Sequence, residues 1–179
     1  MGSEDYNIQP EYLGLPEHTI RVVLEWYEVK AAEDVGIRRN YESMKQGMTP
    51  QLDRSDEADI IGALGELAFA KGTNRYWQME VNAKGRSGGD VGPIEVRTSN
   101  NPNHNLIVRF GDPEHKIYCF VLMNCDRLHY IVGWIRGRDA KKPLYLKRLP
   151  SGNHFVIPIE DLNDPMLLRT LDLTTRYGI

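Results

Sequence analysis

Three charged side chains lie close together in the sequence: Asp90, Glu95 and Arg97. From residue 94 onward apolar and polar residues alternate, and the period of two in a strand predicts that Glu95 and Arg97 share one face. Gly92 and Pro93 predict a tight turn that brings Asp90 back toward Glu95. Two carboxylates and a guanidinium would then converge. Such a group is unfavourable unless its charges pair with one another or hold an ion.

The same spacing also has an ordinary structural interpretation. In that interpretation Arg97 neutralises Glu95 in a salt-bridged hairpin, a contact that short strings of charged residues often make. The sequence upstream of Asp90 helps to distinguish a charged site from a salt-bridged hairpin.

An amphipathic helix is predicted over residues 55–72. Its apolar residues recur at helical spacing: Ile60, Ile61, Leu64, Leu67 and Ala68. Ser55 or Asp56 is suited to the N-cap. Glu66 lies near the apolar stripe, and Gly62 and Gly65 would let another backbone approach closely. We therefore expect Glu66 to point inward.

The order of these elements resembles the core of the PD-(D/E)XK nuclease superfamily. The resemblance rests on the helix with Gly-Glu-Leu-Ala-Phe, a strand-like segment at residues 76–81, Asp90, and Ile-Glu-Val-Arg-Thr at residues 94–98. The later runs at residues 106–109 and 132–135 resemble phage-encoded members of the superfamily. Together these stretches cover roughly residues 55–134.

The resemblance implies a restriction-endonuclease-like core and a divalent-metal-dependent nuclease that hydrolyses DNA phosphodiester bonds. By this resemblance, Asp90 and Glu95 would bind Mg²⁺ or Mn²⁺ together with the carbonyl of Val96. Glu66 would assist them from the helix, and Arg97 would occupy the position of the motif lysine. Because a guanidinium stays protonated, Arg97 would orient a water or stabilise charge rather than act as a general base.

Two other interpretations remain open. The chain would be a non-catalytic nucleic-acid-binding or regulatory module with a nuclease fold if turnover has been lost at Arg97. It would be a structural or interaction protein of a phage-like genome if the acids have no chemical role. Retention of three acids disfavours both, because carboxylates gathered without a function are unfavourable.

Charge is distributed unevenly along the chain. Residues 84–148 hold 12 Lys and Arg against 6 Asp and Glu, a net of +6, whereas the remainder holds 10 against 19, a net of −9, and the total is −3. Contacts between these cations and phosphates would give sequence-independent affinity for DNA, and a solvated loop surface is the ordinary alternative. The candidates for nucleic-acid binding are Arg86, His104, Arg109, Arg136, Arg138, Lys141 and Lys142.

The composition is that of a globular chain, with 41% hydrophobic and 26% charged residues. No stretch approaches the ~20 apolar residues of a membrane span, and the N-terminus lacks signal-peptide features, so we expect a cytoplasmic protein with no membrane partner, in the host cytoplasm if phage-encoded. Cys119 and Cys125 are expected to be reduced thiols. Nucleases of the resembled type often dimerise to cut both strands, which admits a homodimer.

The predicted fold class is α/β, or α+β by stricter counting, with a central mixed β-sheet flanked by helices. Residues 1–179 form one domain, with residues 1–50 as an N-terminal helical extension, 55–135 as the core, and 136–179 as a basic turn, an edge strand and a C-terminal tail. A helix is predicted from residue 20 to 46, with a break at Gly36. Residues 106–110, 117–123 and 129–135 are predicted strands of one mixed sheet, and residues 155–159 an edge strand marked by Pro158. Residues 136–143 and 164–168 are predicted short helical turns.

Overall fold

A computed structural model describes residues 7–45, 56–81 and 90–170 of the chain. Helices and strands are mixed along these residues, and the predicted α+β class is confirmed. In chain order the elements are β1 (Ile20–Val23), α1 (Trp26–Lys45), α2 (Asp56–Thr73), β2 (Ile94–Ser99), β3 (Leu106–Arg109), β4 (Ile117–Cys125), β5 (Leu128–Arg136), α3 (Gly137–Ala140), β6 (Leu146–Leu149), β7 (Gly152–Ile157) and α4 (Leu167–Thr170).

The central sheet has four strands in the order β1-β5-β4-β2. β2 runs parallel to β4, and the other neighbours are antiparallel. The register pairs Ile94 with Ile117, and Ile117 with Arg136. The start of β2, the start of β4 and the end of β5 therefore meet at one end of the sheet, which we call the site end.

The helix α2 packs on one face of the central sheet, and α1 packs on α2. Val96 and Cys119, from neighbouring strands, pack with Phe69 of α2 in one apolar cluster. Gly36 of α1 lies so close to α2 that a Cβ there would be 2.6 Å from the Cα of Ile60. The predicted break at Gly36 is therefore wrong, because this glycine permits close packing of two helices rather than interrupting one.

The first strand corrects the prediction of a helix from residue 20. Ile20–Val23 pairs antiparallel with β5, and Ile20 lies opposite Ile131. Its β-branched residues favour a strand, in which Ile20 and Val22 share a face, whereas the spacing of Ile20 and Val23 also fits a helix. The helix begins only at Trp26.

A second sheet covers the opposite face of the first. It has the order β3-β7-β6 with antiparallel neighbours, so the prediction that residues 106–110 join one mixed sheet is wrong. Leu106 and Val108 are fully buried, and they pack with Tyr118 of β4. An alternating sequence predicts a strand with one buried apolar face. It does not show whether that strand belongs to the central sheet or to a second sheet packed on it.

The strand β7 lies in the middle of the second sheet, so the predicted edge strand at residues 155–159 is wrong. Pro158 follows the last residue of β7. Its missing N–H therefore does not interrupt the ladder. β6 has no counterpart among the predicted strands.

The segment at residues 76–81, predicted to be strand-like, is not a strand. Met79 has a φ of 52°, which lies outside the extended region. Trp77 is buried in the cluster beneath the helices. Of this segment, Trp77 packs in the core, whereas Tyr76 and Met79 are exposed.

Other predictions are confirmed. α2 matches the predicted helix, although Ser55 and the linker at residues 48–50 lie outside the described residues. α3 and α4 match the two short helical turns. Both cysteines are free, and Cys119 is buried.

Between β2 and β4 the chain forms β3 rather than a helix. No helix among the described residues combines the length and apolarity needed to span a bilayer.

Candidate active site

Asp90 lies against the edge of β2, as the turn chemistry predicts. Val91 and Ile94 form an antiparallel bridge across the turn, and Gly92 has a φ of +61°, which glycine adopts without strain. The chain therefore reverses just before β2. The Asp90 carboxylate accepts a hydrogen bond of 2.8 Å from the backbone N–H of Val96.

This hydrogen bond shows which way the backbone of β2 faces at Val96. β2 is the outer strand of the central sheet, with β4 on its other side. The N–H and C=O of one strand residue point to the same side. The carbonyl of Val96 therefore also points to the outer edge, on the same side as the Asp90 carboxylate.

Glu66 points inward, as predicted, and is held firmly. It is 5% exposed. The guanidinium of Arg39 donates two hydrogen bonds to its carboxylate, of 2.6 and 2.8 Å, and the indole of Trp77 donates a third, of 3.0 Å. The neighbouring Gly65 lets α2 lie close to β2, because a Cβ at this position would lie 1.9 Å from the Oγ1 of Thr98. By contrast, Gly62 faces no close neighbour.

Replacing Arg39 by methionine should destabilise the protein by about 2–3 kcal/mol, because the buried Glu66 carboxylate loses its cation. Adding Glu66→Gln to that variant should recover part of the loss, since a neutral amide tolerates burial better. Arg38→Met is the matched control, because the Arg38 side chain is 65% exposed. Urea denaturation measures the three effects, and equal losses at positions 38 and 39 would refute the buried ion pair.

Glu95 pairs with Lys116 rather than with Arg97. The Nζ of Lys116 donates a hydrogen bond to the Glu95 carboxylate, and both side chains are mostly buried. Arg97 shares the face of Glu95, as predicted, but its guanidinium lies 3.2 Å from the carboxylate of Asp112 and 5.7 Å from the ring centre of Tyr118. The salt-bridged hairpin between Glu95 and Arg97 is therefore not formed.

Sequence reasoning missed Arg39 and Lys116. Arg39 is 27 positions from Glu66, and Lys116 is 21 positions from Glu95. Lys116 reaches Glu95 because it directly precedes Ile117, the residue that lies opposite Ile94 in the parallel register. No local spacing signals such partners, since both depend on how distant segments pack.

The electrostatics of Asp90 depend on all three acids. Burial of its carboxyl, followed by the charges of Glu66 and Glu95, raises the pKa of Asp90 to about 7, against the opposing effects of the Val96 N–H and Arg97. Within the described part of the chain Asp90 makes no ion pair of its own. The negative charges of Glu66 and Glu95 thus both act on Asp90.

Comparison with family models, with curated proteins and with solved structures finds no match to this chain. The site is therefore interpreted from its own geometry. Among the described residues, no group of three or more His, Cys, Asp or Glu side chains stands ready as a metal cluster.

The donor chemistry around Asp90 fits a hard divalent cation. Two carboxylates, Asp90 and Glu95, and the carbonyl of Val96 offer oxygen ligands, which Mg²⁺ and Mn²⁺ prefer. Burial, followed by repulsion from Glu66 and Glu95, raises the pKa of Asp90, and a bound cation would favour the charged carboxylate again. Glu66 is held by Arg39 and is not one of these three ligands.

The predicted basic turn lies at the same end of the sheet as these acids. Arg136 lies opposite Ile117, next to Lys116. The N–H of Gly137 donates to the carbonyl of Lys116 at 2.8 Å, which ties α3 to the segment that reaches Glu95. The side chains of Arg138 and Lys142 are 66% and 54% exposed, and the Nζ of Lys141 bonds to the carbonyl of Phe110.

The other residues predicted to contact nucleic acid are His104, Arg109 and Arg86. His104 bonds to Ser99 and Asn101, at the far end of β2, about 17 Å along the strand from Ile94, so the structure does not bring it to the acids. Arg109 is exposed, and its N–H bonds to Asp112, the partner of Arg97. Arg86 lies outside the described residues.

Proposed function

We propose that the chain is a divalent-metal-dependent nuclease that hydrolyses DNA phosphodiester bonds. The observation that carries the proposal is the position of Asp90: its carboxylate accepts the N–H of Val96, next to Glu95, and the charges of Glu66 and Glu95 act on it. Metal-dependent phosphodiester hydrolysis uses oxygens that hold a metal ion and positive charge that holds the nucleic-acid backbone. In this proposal the acids would hold the ion, and the exposed side chains of Arg138 and Lys142, which follow β5, would contact the backbone.

In this proposal Asp90, Glu95 and the Val96 carbonyl would hold Mg²⁺ or Mn²⁺, and Glu66 would support them from α2. Such an ion, when bound, supplies an activated water and offsets negative charge on the scissile phosphate. Arg39 fixes the direction of the Glu66 carboxylate, because it donates two hydrogen bonds to it.

Two cations of the chain have separate roles in this proposal. Lys116 contacts Glu95, so its ammonium lies beside the carboxylate that would bind the ion. Arg97 is held by Asp112 over the Tyr118 ring, from which its planar guanidinium can orient a phosphate. Lys116, not Arg97, is therefore the residue positioned to act as the motif lysine.

A non-catalytic nucleic-acid-binding module is the second candidate, and one observation favours it. Glu66 and Glu95 already have ion-pair partners, Arg39 and Lys116. In such a module these acids would stabilise the fold, and binding would depend on the basic surface alone.

A cleavage assay separates the two candidates. The protein is incubated with linear, circular and branched DNA in the presence of Mg²⁺ or Mn²⁺. We expect metal-dependent cleavage that EDTA abolishes and that Glu95→Gln removes, because the amide keeps the shape of the side chain without its charge. Binding without cleavage by the wild type would favour the module, and neither binding nor cleavage would contradict both.

The affinity for DNA should fall steeply with salt concentration. Each phosphate contact contributes roughly −0.9 to the slope of log K against log salt on duplex DNA. Replacing Arg138 and Lys142 by alanine should therefore flatten the slope by up to about 2 units. Replacing Arg38 and Lys45 of α1, which are 65% and 56% exposed, is the matched control and should leave the slope unchanged. Fluorescence anisotropy over a salt series measures the slopes, and an unchanged slope in the α3 variant would remove α3 from the DNA interface.

A further inference from the structure

The helix α1 exposes large apolar side chains on the face turned away from α2. Trp26, Tyr27, Ile37, Tyr41 and Met44 are exposed by 70%, 59%, 55%, 58% and 49%. The helix is 20 residues long, about 30 Å, so these side chains run along most of its length. Large apolar side chains exposed in this number on one helix indicate an interaction site, because leaving them in water is unfavourable.

The spacing of the exposed residues indicates that another helix packs against them. Six residues recur at intervals of 3, 4, 3, 4 and 3 along the exposed face: Tyr27, Lys30, Asp34, Ile37, Tyr41 and Met44. This is the alternation at which one helix packs along a second one. We call these six residues the α1 row.

Two charged residues of the α1 row select the orientation of a second copy. In a parallel pair each residue meets its own counterpart, so Lys30 would face Lys30 and Asp34 would face Asp34. In an antiparallel pair centred between Asp34 and Ile37, Lys30 instead faces Tyr41. A lysine over a tyrosine ring is favourable, whereas facing like charges are not.

The charges on the two halves of α1 favour the same orientation. Glu28 and Arg39 are already paired with Lys71 and Glu66. Among the other charged residues of α1, the first half holds Glu33 and Asp34 against Lys30, and the second half holds Arg38 and Lys45 against Glu42. An antiparallel pair places the acidic half of each helix against the basic half of its partner. Charge complementarity of this kind fixes orientation and register.

From these observations we infer that α1 is a homodimer interface at which two copies of the chain pack antiparallel. A two-fold axis relates the copies, so the same surface of each is used. The inference does not rest on nuclease activity. It does place the dimer near the acids, since Arg39, which holds Glu66, lies on α1 two residues beyond Ile37.

Sedimentation equilibrium of the full chain tests the interface. We expect about 41 kDa, twice the 20.5 kDa of one chain. Combining Ile37→Glu with Tyr41→Glu should raise the dissociation constant on the order of 100-fold or more. Tyr12→Glu is the matched control, because Tyr12 is 83% exposed and lies outside α1, and it should leave the dimer intact.

Circular dichroism checks that the α1 variant remains folded, as expected for changes at exposed positions. A wild type of 20.5 kDa at the highest concentration reached would overturn the inference. A dimer that survives in the folded α1 variant would overturn it equally.

Chemical crosslinking tests the antiparallel orientation. In a Cys125→Ser background, a short bismaleimide should link chains that carry both Tyr27→Cys and Met44→Cys, and should not link chains that carry either change alone. The two positions are 17 residues apart on one helix, roughly 25 Å, so the reagent cannot join them within one chain. Covalent dimers of the Tyr27→Cys variant alone would instead indicate parallel packing and would refute the antiparallel pair.

Discussion

Replacing Asp90 by asparagine should stabilise the metal-free protein at pH 8, by up to about 4 kcal/mol, and should remove its affinity for Mn²⁺. The pKa of Asp90 is raised from 3.8 to about 7. Folding therefore favours the protonated carboxyl, and each unit of difference is equivalent to about 1.4 kcal/mol. The asparagine carbonyl can still accept the hydrogen bond from Val96 and carries no charge to be repelled by Glu66 and Glu95.

The stabilisation expected from Asp90→Asn depends on pH. Because the pKa in the folded state lies above that in the unfolded state, the contribution of Asp90 to stability is full below about pH 4 and is lost as the pH rises through about 7. Urea denaturation in EDTA should therefore show little difference between wild type and Asp90→Asn at pH 4 and the full difference at pH 8.

The matched control is Asp126→Asn, an exposed residue in the turn between β4 and β5. It should change the free energy of unfolding by less than about 0.5 kcal/mol at either pH. If Asp90→Asn destabilises the protein at pH 8, the carboxylate is not repelled by its neighbours. If the variant binds Mn²⁺ as the wild type does, Asp90 is not a ligand.

The acid cluster was accessible from the sequence because its determinants are local. The turn before β2 depends on Gly92 and Pro93, and the face shared by Glu95 and Arg97 depends on the period of a strand. The inward direction of Glu66 depends on its place beside the apolar stripe of α2. Each of these inferences uses residues fewer than about ten positions apart, a range over which one secondary element or one turn determines geometry.

The partners of these acids were not accessible from the sequence because they come from distant segments. Arg39 reaches Glu66 only because Gly36 brings α1 close to α2, and Lys116 reaches Glu95 only through the parallel register of β2 and β4. The same limit explains the misplaced strands. Leu106 and Val108 specify a strand with one buried face, but not which layer covers that face.

Glu95 pairs with Lys116 rather than with Arg97, and this pairing changes the interpretation of both cations. On sequence position alone, Arg97 stands where the resemblance places the motif lysine. In the fold, the ammonium of Lys116 contacts Glu95, and the guanidinium of Arg97 is directed to Asp112. Under the proposed function, Lys116, which directly precedes the neighbouring parallel strand β4, would take the role of the motif lysine in place of Arg97.

Replacing Lys116 by alanine should therefore reduce kcat on the order of 10²–10³-fold, comparable with the loss of one preorganised donor in an active site. Arg97→Ala should reduce kcat less and raise KM more, because a guanidinium held by Asp112 contributes to phosphate binding rather than to stabilisation of charge next to Glu95. Lys147→Ala, an exposed lysine of β6, is the matched control and should leave kcat unchanged. Steady-state cleavage with Mn²⁺ measures kcat and KM. Lys116→Arg should restore part of the kcat that Lys116→Ala loses, because it returns a positive charge to Glu95. If Lys116→Ala lowers only the melting temperature and cleaves at the normal rate, its ion pair with Glu95 is structural, and Arg97 regains the role that its sequence position implies.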